Sequence, residues 1–253
     1  MPAVKVQIAF YEQYGAPGIE AFQKTLEYAR AAGLLAVADA KRGDIGSTSR
    51  AYAAAFLGRA EVFGQSLPVF DADALTINAY LGSDGVRPFL EEARARGKGV
   101  FVLVKTSNPS SGELQDLEVA GRPPGRGRPL YELLAEQVEV WGRELIGAHG
   151  YSSLGAVVGA TYPREAAALR RLMPRTLFLV PGYGSQGGKA EDALPCFNPD
   201  GQGAIVHSAR QVIFAYREQG APGQDYTRAA REAALAMRDS LRQALRRGGL
   251  DSW

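Results

Sequence analysis

The sequence predicts an α/β protein and, within that class, a (β/α)8 barrel of the TIM type. Short apolar segments alternate with longer amphipathic ones along the chain, and no linker or short repeat divides it. The apolar segments are nearly continuous, which indicates a parallel sheet covered on both faces. A length of 253 residues is typical of one such barrel, so we expect a single domain over residues 1–253.

Seven strands are predicted, near residues 4–10, 35–41, 74–79, 99–106, 154–161, 176–182 and 203–209. Helical patterns lie near residues 18–31, 47–58, 84–96, 129–148, 163–172 and 224–246. Seven strands fit either a doubly wound open sheet or a barrel that is one strand short. The first predicted strand begins within four residues of Met1. We therefore favour the barrel, in which the strand that is lacking would precede residue 1.

Two long loops follow predicted strands, at residues 107–128 and 183–202. In parallel α/β folds, the loops at the carboxyl ends of the strands build the active face. Loops of this length are uncommon unless they serve as lids or binding segments. Length alone leaves a surface insertion as an equal alternative.

Composition excludes several classes of function. The 29 basic residues nearly balance the 27 acidic ones, which argues against nucleic acid or an anionic membrane as the main partner. No apolar segment approaches 18 residues, and the N-terminus lacks the layout of a signal peptide, so we expect a cytoplasmic protein. Because Cys196 is the only cysteine and His149 and His207 are the only histidines, we expect no intrachain disulfide and no zinc site.

The segment DAKRGDIGST, which begins at Asp39, carries the strongest chemical signal. Asp39 and Lys41 are two positions apart at the end of a strand, so we expect their side chains to leave the same face, towards the barrel mouth. Charges at the end of an apolar strand are costly unless they pair, and Asp39 with Asp44 would keep Lys41 protonated. Asp44, Ser47 or Thr48 could instead cap the next helix. Capping does not account for Asp39 and Lys41.

Other strand ends carry weaker signals. Lys5 lies in a separate strand and could reach the same mouth, although a solvated lysine is an alternative. The glycine-rich segment PGYGSQGG and Arg210 follow the last two predicted strands, where barrels often bind phosphate. A guanidinium group suits the geometry of a phosphate, so we expect a phosphate site there.

The segment DAKRGDIGST resembles the signature of the orotidine 5′-phosphate decarboxylase family, an Asp-x-Lys-x-x-Asp pattern followed closely by Thr. Five further segments resemble the longer bacterial branch of that family in the expected order: VKVQIAFYEQYG, DALTINAYLG, VKTSNPSS, GAVVGATYP and LVPGYGSQGG. The resemblance implies the barrel fold and the decarboxylation of orotidine 5′-monophosphate to uridine 5′-monophosphate in pyrimidine biosynthesis. It also implies that no cofactor is needed.

The resemblance also implies the residues of the active site. The family's charged array would correspond to Lys5, Asp39, Lys41 and Asp44. In that family the last Asp, with the Ile and Thr that follow it, reaches the site of the partner subunit; here these are Asp44, Ile45 and Thr48. The resemblance therefore implies a homodimer whose two sites are shared across the interface.

The remaining implied residues bind substrate. Ser107 would contact the pyrimidine ring, and Gln186 and Arg210 would bind the phosphate. One feature departs from the family: the N-terminal strand, whose Asp contacts the ribose, has no counterpart here. Either the chain is short at its N-terminus or this barrel closes differently.

Two other functions remain open from the sequence. A sugar-phosphate decarboxylase or aldolase on a related barrel shares the Asp-x-Lys-x-x-Asp pattern and uses Mg²⁺. A barrel that binds a nucleotide phosphate without catalysis is the second. An aldolase with a Schiff-base lysine is disfavoured, because flanking carboxylates keep Lys41 protonated and poorly nucleophilic.

Overall fold

A computed structural model of the chain describes residues 2–120, 127–184, 187–218 and 225–250. Seven strands form its main sheet: β1 (Ala3–Gln7), β2 (Leu35–Arg42), β3 (Ala74–Ile77), β4 (Gly99–Lys105), β5 (Ser152–Val158), β6 (Thr176–Val180) and β7 (Ala204–Val206). All seven strands predicted from the sequence are therefore confirmed.

The order of the strands across the sheet is their order along the chain, from β1 to β7. The pairs β1–β2, β2–β3, β3–β4 and β6–β7 are parallel. A doubly wound sheet reverses its strand order at a switch point, whereas a (β/α) barrel adds each strand beside the previous one. The unbroken order confirms the barrel fold class and excludes the doubly wound alternative.

The helices are α1 (Ala9–Glu12), α2 (Gly15–Ala31), α3 (Gly46–Phe56), α4 (Ser83–Arg96), α5 (Gly112–Gln115), α6 (Leu130–Gly142), α7 (Pro163–Leu172), α8 (Ala190–Ala193), α9 (Arg210–Ile213), α10 (Ala215–Glu218) and α11 (Tyr226–Arg247). The six longest match the six predicted helical segments. Two small antiparallel hairpins, Ala60–Val62 with Gln65–Leu67 and Glu118–Val119 with Arg128–Pro129, were not predicted because their strands are too short to show a period. Among the described helices, none has the length and apolarity needed to cross a membrane.

The described chain groups into two compact units. The first comprises Met1–Leu103 with Trp141–Ala156, and it holds a cluster of aromatic side chains. Phe22 of α2 is fully buried and makes edge contacts with Tyr11 and Phe70, at centroid distances of 5.4 and 5.3 Å. Such pairs add to the stabilisation from burial, so they fix α2 within this unit.

The second unit comprises Val104–Val140 with Val157–Trp253. Arg170 of α7 is buried there, and its guanidinium donates hydrogen bonds of 2.8–3.0 Å to the carbonyl oxygens of Met173, Thr176, Cys196 and Gly203. Burial raises the pKa of the Cys196 thiol to about 12. The prediction of one domain over residues 1–253 stays a prediction.

Candidate active site

Strand β2 leaves the register of β3 where the predicted site residues lie. Ala38 pairs with Leu75 and Arg42 pairs with Ile77, so four residue steps on β2 oppose two on β3. Within this bulge, Lys41 has a φ of +49°, in the left-handed region that favours glycine. Bulges redirect side chains and are frequent beside active sites.

Asp39 lies at the centre of a cluster of polar side chains. Its own side chain is buried, with 5% of the residue exposed. Oδ2 accepts hydrogen bonds from Lys5 Nζ and from Gln7 Nε2 at 3.0 Å. Oδ1 accepts them from Lys41 Nζ at 2.6 Å and from the Thr76 hydroxyl at 2.9 Å. Because a carboxylate has about four acceptor positions, these four donors saturate Asp39.

The charges of this cluster favour an ionised Asp39. Burial alone would raise the pKa of Asp39, but the charges and hydrogen bonds of Lys5 and Lys41 outweigh burial and hold that pKa below its ordinary value. Burial lowers the pKa of Lys5, and the charge of Asp39 opposes that change. Two ammonium groups around one carboxylate leave the cluster with a net positive charge, which suits an anionic ligand.

The structure brings Lys5, Asp39 and Lys41 together, as the sequence predicts. The backbone geometry that brings Lys41 to Asp39 differs from the predicted one. Regular alternation along a strand was the expected reason for Asp39 and Lys41 to meet. Instead they meet through the bulge and the left-handed backbone at Lys41. The side chain of Lys41 remains 44% exposed, so its ammonium group is accessible.

Asp44 does not join this cluster. Its Oδ1 accepts the backbone N–H of Ile45 at 2.7 Å, and no ion pair to Asp44 occurs within the described part of the chain. Helix α3 begins at Gly46 with Ile45 at the N-cap, and no side chain caps it. The alternative that Asp44, Ser47 or Thr48 caps this helix is therefore wrong. Ile45 and Thr48 are both exposed.

Ser107 follows the end of β4 and is half-buried. Its carbonyl oxygen accepts a hydrogen bond from the Thr161 hydroxyl at 3.3 Å. A Cβ atom at Gly159 would come within 2.9 Å of the Ser107 side chain, so a larger residue there would displace Ser107. The segment that follows β5 therefore packs directly against Ser107.

The segment around Ser107 is also held by a buried lysine that the sequence did not single out. Lys105 is fully buried, pairs with Asp116 at 2.5 Å, and lies 4.4 Å above the ring of Tyr162. Next to it, the Thr106 backbone N–H donates to Gln115 Oε1 at 3.0 Å. These contacts anchor α5 and the loop that leads to it against the end of β4.

The glycine-rich segment after β6 is described at residues 181–184 and 187–188. Gly182, Gly184 and Gly187 all have positive φ, and Gly184 N–H donates to Gly188 O at 2.8 Å. These conformations favour glycine and leave the backbone open to close approach. Gln186, which the sequence predicts to bind phosphate, lies outside the described residues.

Arg210 begins α9 directly after β7, and its side chain is exposed. Just before it, the Ser208 hydroxyl donates to the carbonyl oxygen of Tyr183 at 3.4 Å. The segment that carries Arg210 therefore contacts Tyr183 in the glycine-rich segment.

Sequence reasoning missed two residues of the Asp39 cluster. Gln7 lies two positions after Lys5 on β1, so period-two alternation could have placed the two side chains on one face. Thr76 is the only polar residue in the buried strand ALTI, and that exception to the apolar pattern is a signal. Its hydrogen bonds could not be derived from the sequence.

The fold and the cluster together define a class of protein. It is a (β/α)-barrel enzyme with ammonium groups and a buried carboxylate at the carboxyl ends of neighbouring strands, a set that stabilises negative charge developing on a bound molecule. The chain belongs to the orotidine 5′-phosphate decarboxylase / HUMPS family, whose model matches residues 2–218.

Individual relatives agree with this assignment. An orotidine 5′-phosphate decarboxylase of Caldicellulosiruptor bescii is 43% identical over 242 residues, covering 96% of this chain and 77% of that protein. The Rhodopirellula baltica enzyme of the same name is 42% identical over 246 residues, covering 96% and 78%. The solved structure of Leishmania donovani OMP decarboxylase superposes with a TM-score of 0.68 at 36% identity, covering 91% of this chain and 77% of that one.

Proposed function

We propose that the protein decarboxylates orotidine 5′-monophosphate to uridine 5′-monophosphate in pyrimidine biosynthesis. One observation carries the proposal: a buried, saturated Asp39 between Lys5 and Lys41, at the strand ends of a family barrel. Relatives that are 42–43% identical are orotidine 5′-phosphate decarboxylases, which favours this reaction over that of a Mg²⁺-dependent sugar-phosphate enzyme or a non-catalytic barrel.

The reaction breaks the bond between C6 of the pyrimidine and its carboxylate carbon. Carbon dioxide leaves, and the bonding electron pair stays on C6 as an sp² carbanion that the ring delocalises poorly. The ammonium group of Lys41 stabilises this charge and then donates a proton to C6, which gives uridine 5′-monophosphate. Lys41 regains its proton from solvent, consistent with its exposed side chain.

Asp39 supports this step through charge and position. Its Oδ1 holds Lys41 Nζ, and its Oδ2 is held by Lys5 and Gln7. A fixed ammonium group needs no reorganisation when the carbanion forms, which is the source of its catalytic effect. The negative charge of Asp39 would also lie close to the substrate carboxylate and favour its loss.

We assign the remaining predicted residues to binding. Ser107 would contact the pyrimidine ring, and Arg210 with Gln186 would bind the phosphate. The fixed position of Ser107 at the end of β4 and the exposure of Arg210 at the start of α9 support these roles. Binding energy from the remote phosphate would then help to orient the ring for reaction.

We also propose that the protein is a cytoplasmic homodimer in which Asp44, Ile45 and Thr48 serve the site of the partner subunit. Two observations support the shared site. Asp44 has no ion pair among the described residues, although it follows Lys41 by only three positions, just after the end of β2. Ile45 is 51% exposed, so its apolar side chain is available to a partner subunit.

The test of function is the loss of orotidine 5′-monophosphate absorbance with a chelator present. We expect full turnover by the wild-type protein, and a fall in kcat of at least about 10⁴-fold in Lys41→Ala, because the ammonium group both stabilises the carbanion and protonates it. Lys24→Ala, which changes an exposed lysine on α2, is the control and should leave kcat unchanged.

Two results would count against the proposal. Near-normal turnover by Lys41→Ala would remove Lys41 from the mechanism. Activity of the wild-type protein that disappears with chelator would favour the Mg²⁺-dependent alternative.

A further inference from the structure

We infer that Thr76 is a positioning residue that sets the geometry of both Asp39 and Lys41, an inference that rests on the proposed function. Thr76 lies in the middle of β3 and is 1% exposed. Its hydroxyl accepts the backbone N–H of Lys41 at 3.0 Å and donates to Asp39 Oδ1 at 2.9 Å. One buried hydroxyl group therefore holds two neighbouring members of the charged cluster.

The bulge in β2 explains why a hydroxyl group is needed at this place. In a regular parallel ladder, carbonyl oxygens of the neighbouring strand accept the backbone N–H groups. Between Ala38 and Arg42 the register of β2 against β3 is broken, and the N–H of Lys41 is bound by the Thr76 side chain instead. Thr76 thus replaces a backbone partner at the one point where the ladder is interrupted.

The same hydrogen bond holds an unfavourable backbone conformation. Lys41 has a φ of +49°, which side chains other than glycine rarely adopt, and such conformations persist only where the surroundings impose them. If the bond were lost, the backbone at Lys41 could relax, and the direction of its side chain would change with it.

The contacts form a closed ring. Lys41 Nζ and the Thr76 hydroxyl both donate to Asp39 Oδ1, and the same hydroxyl accepts from the backbone of Lys41. Lys5 and Gln7 bind the other oxygen of Asp39, so they cannot replace Thr76. The ring fixes where the ammonium group points, and that direction decides whether it can reach C6.

The test uses Thr76→Val, which keeps the shape of the side chain and removes both hydrogen bonds. We expect kcat to fall by about 10- to 100-fold and KM to change by less than about threefold, because ring and phosphate contacts lie on other residues. The substitution also removes the hydrogen bond that the hydroxyl group donates to ionised Asp39, which raises the pKa of Asp39. Lys5 and Lys41 still face Asp39 in this variant. The acid limb of the kcat profile should therefore move to higher pH.

Two control variants separate positioning from stability. Thr76→Ser keeps the hydroxyl group and should restore both kcat and the pH profile. Thr176→Val changes another buried strand threonine, whose hydroxyl donates to Glu139 at 3.3 Å, and should leave both unchanged. The inference is overturned if Thr76→Val keeps wild-type kinetics, if Thr76→Ser fails to restore them, or if Thr176→Val gives the same loss.

A measurement without substrate separates this inference from the proposed function. Carbon-13 NMR of the free protein follows the titration of the Asp39 carboxyl group, assigned by its loss in Asp39→Asn. The pKa of Asp39 should be higher in Thr76→Val than in the wild-type protein, and an unchanged pKa refutes the positioning role. If the wild-type protein fails to turn over orotidine 5′-monophosphate, the proposed function fails, and the NMR comparison still decides the role of Thr76.

Discussion

At the scale of single residues, the buried carboxylate of Asp39 organises the candidate site. Lysine ammonium groups are flexible, and a lysine directed by one surface contact would sample many positions. Asp39 is bound from β1 through Lys5 and Gln7 and from β3 through Thr76, so it offers Lys41 a fixed partner. Burial makes that partner more effective, because charges interact more strongly away from water.

Acid should weaken the folded state through Asp39. Its pKa is lower in the folded protein than the ordinary value of about 3.9. The ionised form therefore contributes stability that is fully present above that ordinary value and is lost as pH falls through the folded-state pKa. At neutral pH, Asp39→Asn leaves Lys5 without its ion-pair partner, and we expect a melting temperature lower by about 5–10 °C.

The pH dependence of this difference is the measurement. The melting temperatures of wild type and Asp39→Asn should differ by a constant amount above about pH 5 and converge below about pH 4. Other carboxylates titrate in both proteins, so the difference isolates Asp39. A difference that stays the same down to the lowest pH would show that Asp39 does not titrate as proposed.

The sequence predicts part of this cluster at the level of residues. Asp39 and Lys41 could be identified because charged side chains at the end of an apolar strand cost free energy unless they pair with each other or with a ligand. Gln7 and Thr76 could not, because a neutral polar residue in a strand has many ordinary explanations. The sequence pattern predicted that Asp44 would pair with Lys41. In the structure, the Asp44 carboxylate instead accepts a hydrogen bond from the backbone N–H of Ile45.

At the scale of elements, β2 combines a regular half and an irregular half. Leu35 to Asp39 pair in register with β1, and Val37 and Ala38 pair in register with β3, whereas the register against β3 shifts between Ala38 and Arg42. The pattern of apolar residues predicts the regular half well. It does not predict the bulge, because a bulge depends on which neighbouring groups satisfy the displaced backbone, here the hydroxyl of Thr76.

Arg170 of helix α7 is buried and binds backbone groups around it, so we expect its substitution to lower the stability of the protein. The guanidinium group satisfies four backbone carbonyl oxygens and stacks 3.6 Å from the centre of the Phe178 ring. Lysine has fewer donors and no planar face, so Arg170→Lys leaves buried carbonyl groups without partners. We expect the free energy of unfolding in urea to fall by about 2–4 kcal/mol.

The adjacent residue provides the control for this prediction. Arg171 lies on the same helix but is exposed, and Arg171→Lys should change the free energy of unfolding by less than about 0.5 kcal/mol. Equal effects of the two substitutions would mean that the buried hydrogen bonds of Arg170 contribute little to stability.

At the scale of the whole molecule, the alternation of strands and helices was enough to predict an α/β protein with a parallel sheet. Each of the seven strands is a mainly apolar segment, and each lies where the pattern indicates. The choice between barrel and doubly wound sheet could only be favoured from sequence, because both alternate strands with helices. The strand order decides it, and strand order depends on contacts distant along the chain.

The proposed homodimer predicts complementation between inactive variants. Lys41→Ala removes the lysine from a subunit's own site, whereas Asp44→Ala removes a carboxylate from the partner's site. In a mixed dimer one site carries both defects and the other carries none. After the two variants are unfolded together and refolded, about one quarter of the wild-type activity should return, because half of the dimers are mixed.

Two comparisons complete this experiment. Each variant refolded alone should remain inactive, and light scattering should give twice the mass of one chain. Activity that stays absent after mixing, with dimers present, would mean that each site uses its own Asp44.

The buried thiol of Cys196 has a practical consequence for such measurements. A thiol reacts as its thiolate, so a group that is buried and has a pKa of about 12 is inert to alkylating dyes near neutral pH. The chain contains no other cysteine. A single cysteine introduced at an exposed position such as Lys24 would therefore be the only point of attachment for a fluorophore in the folded protein, and energy transfer between labelled subunits would report their association without prior removal of a native cysteine.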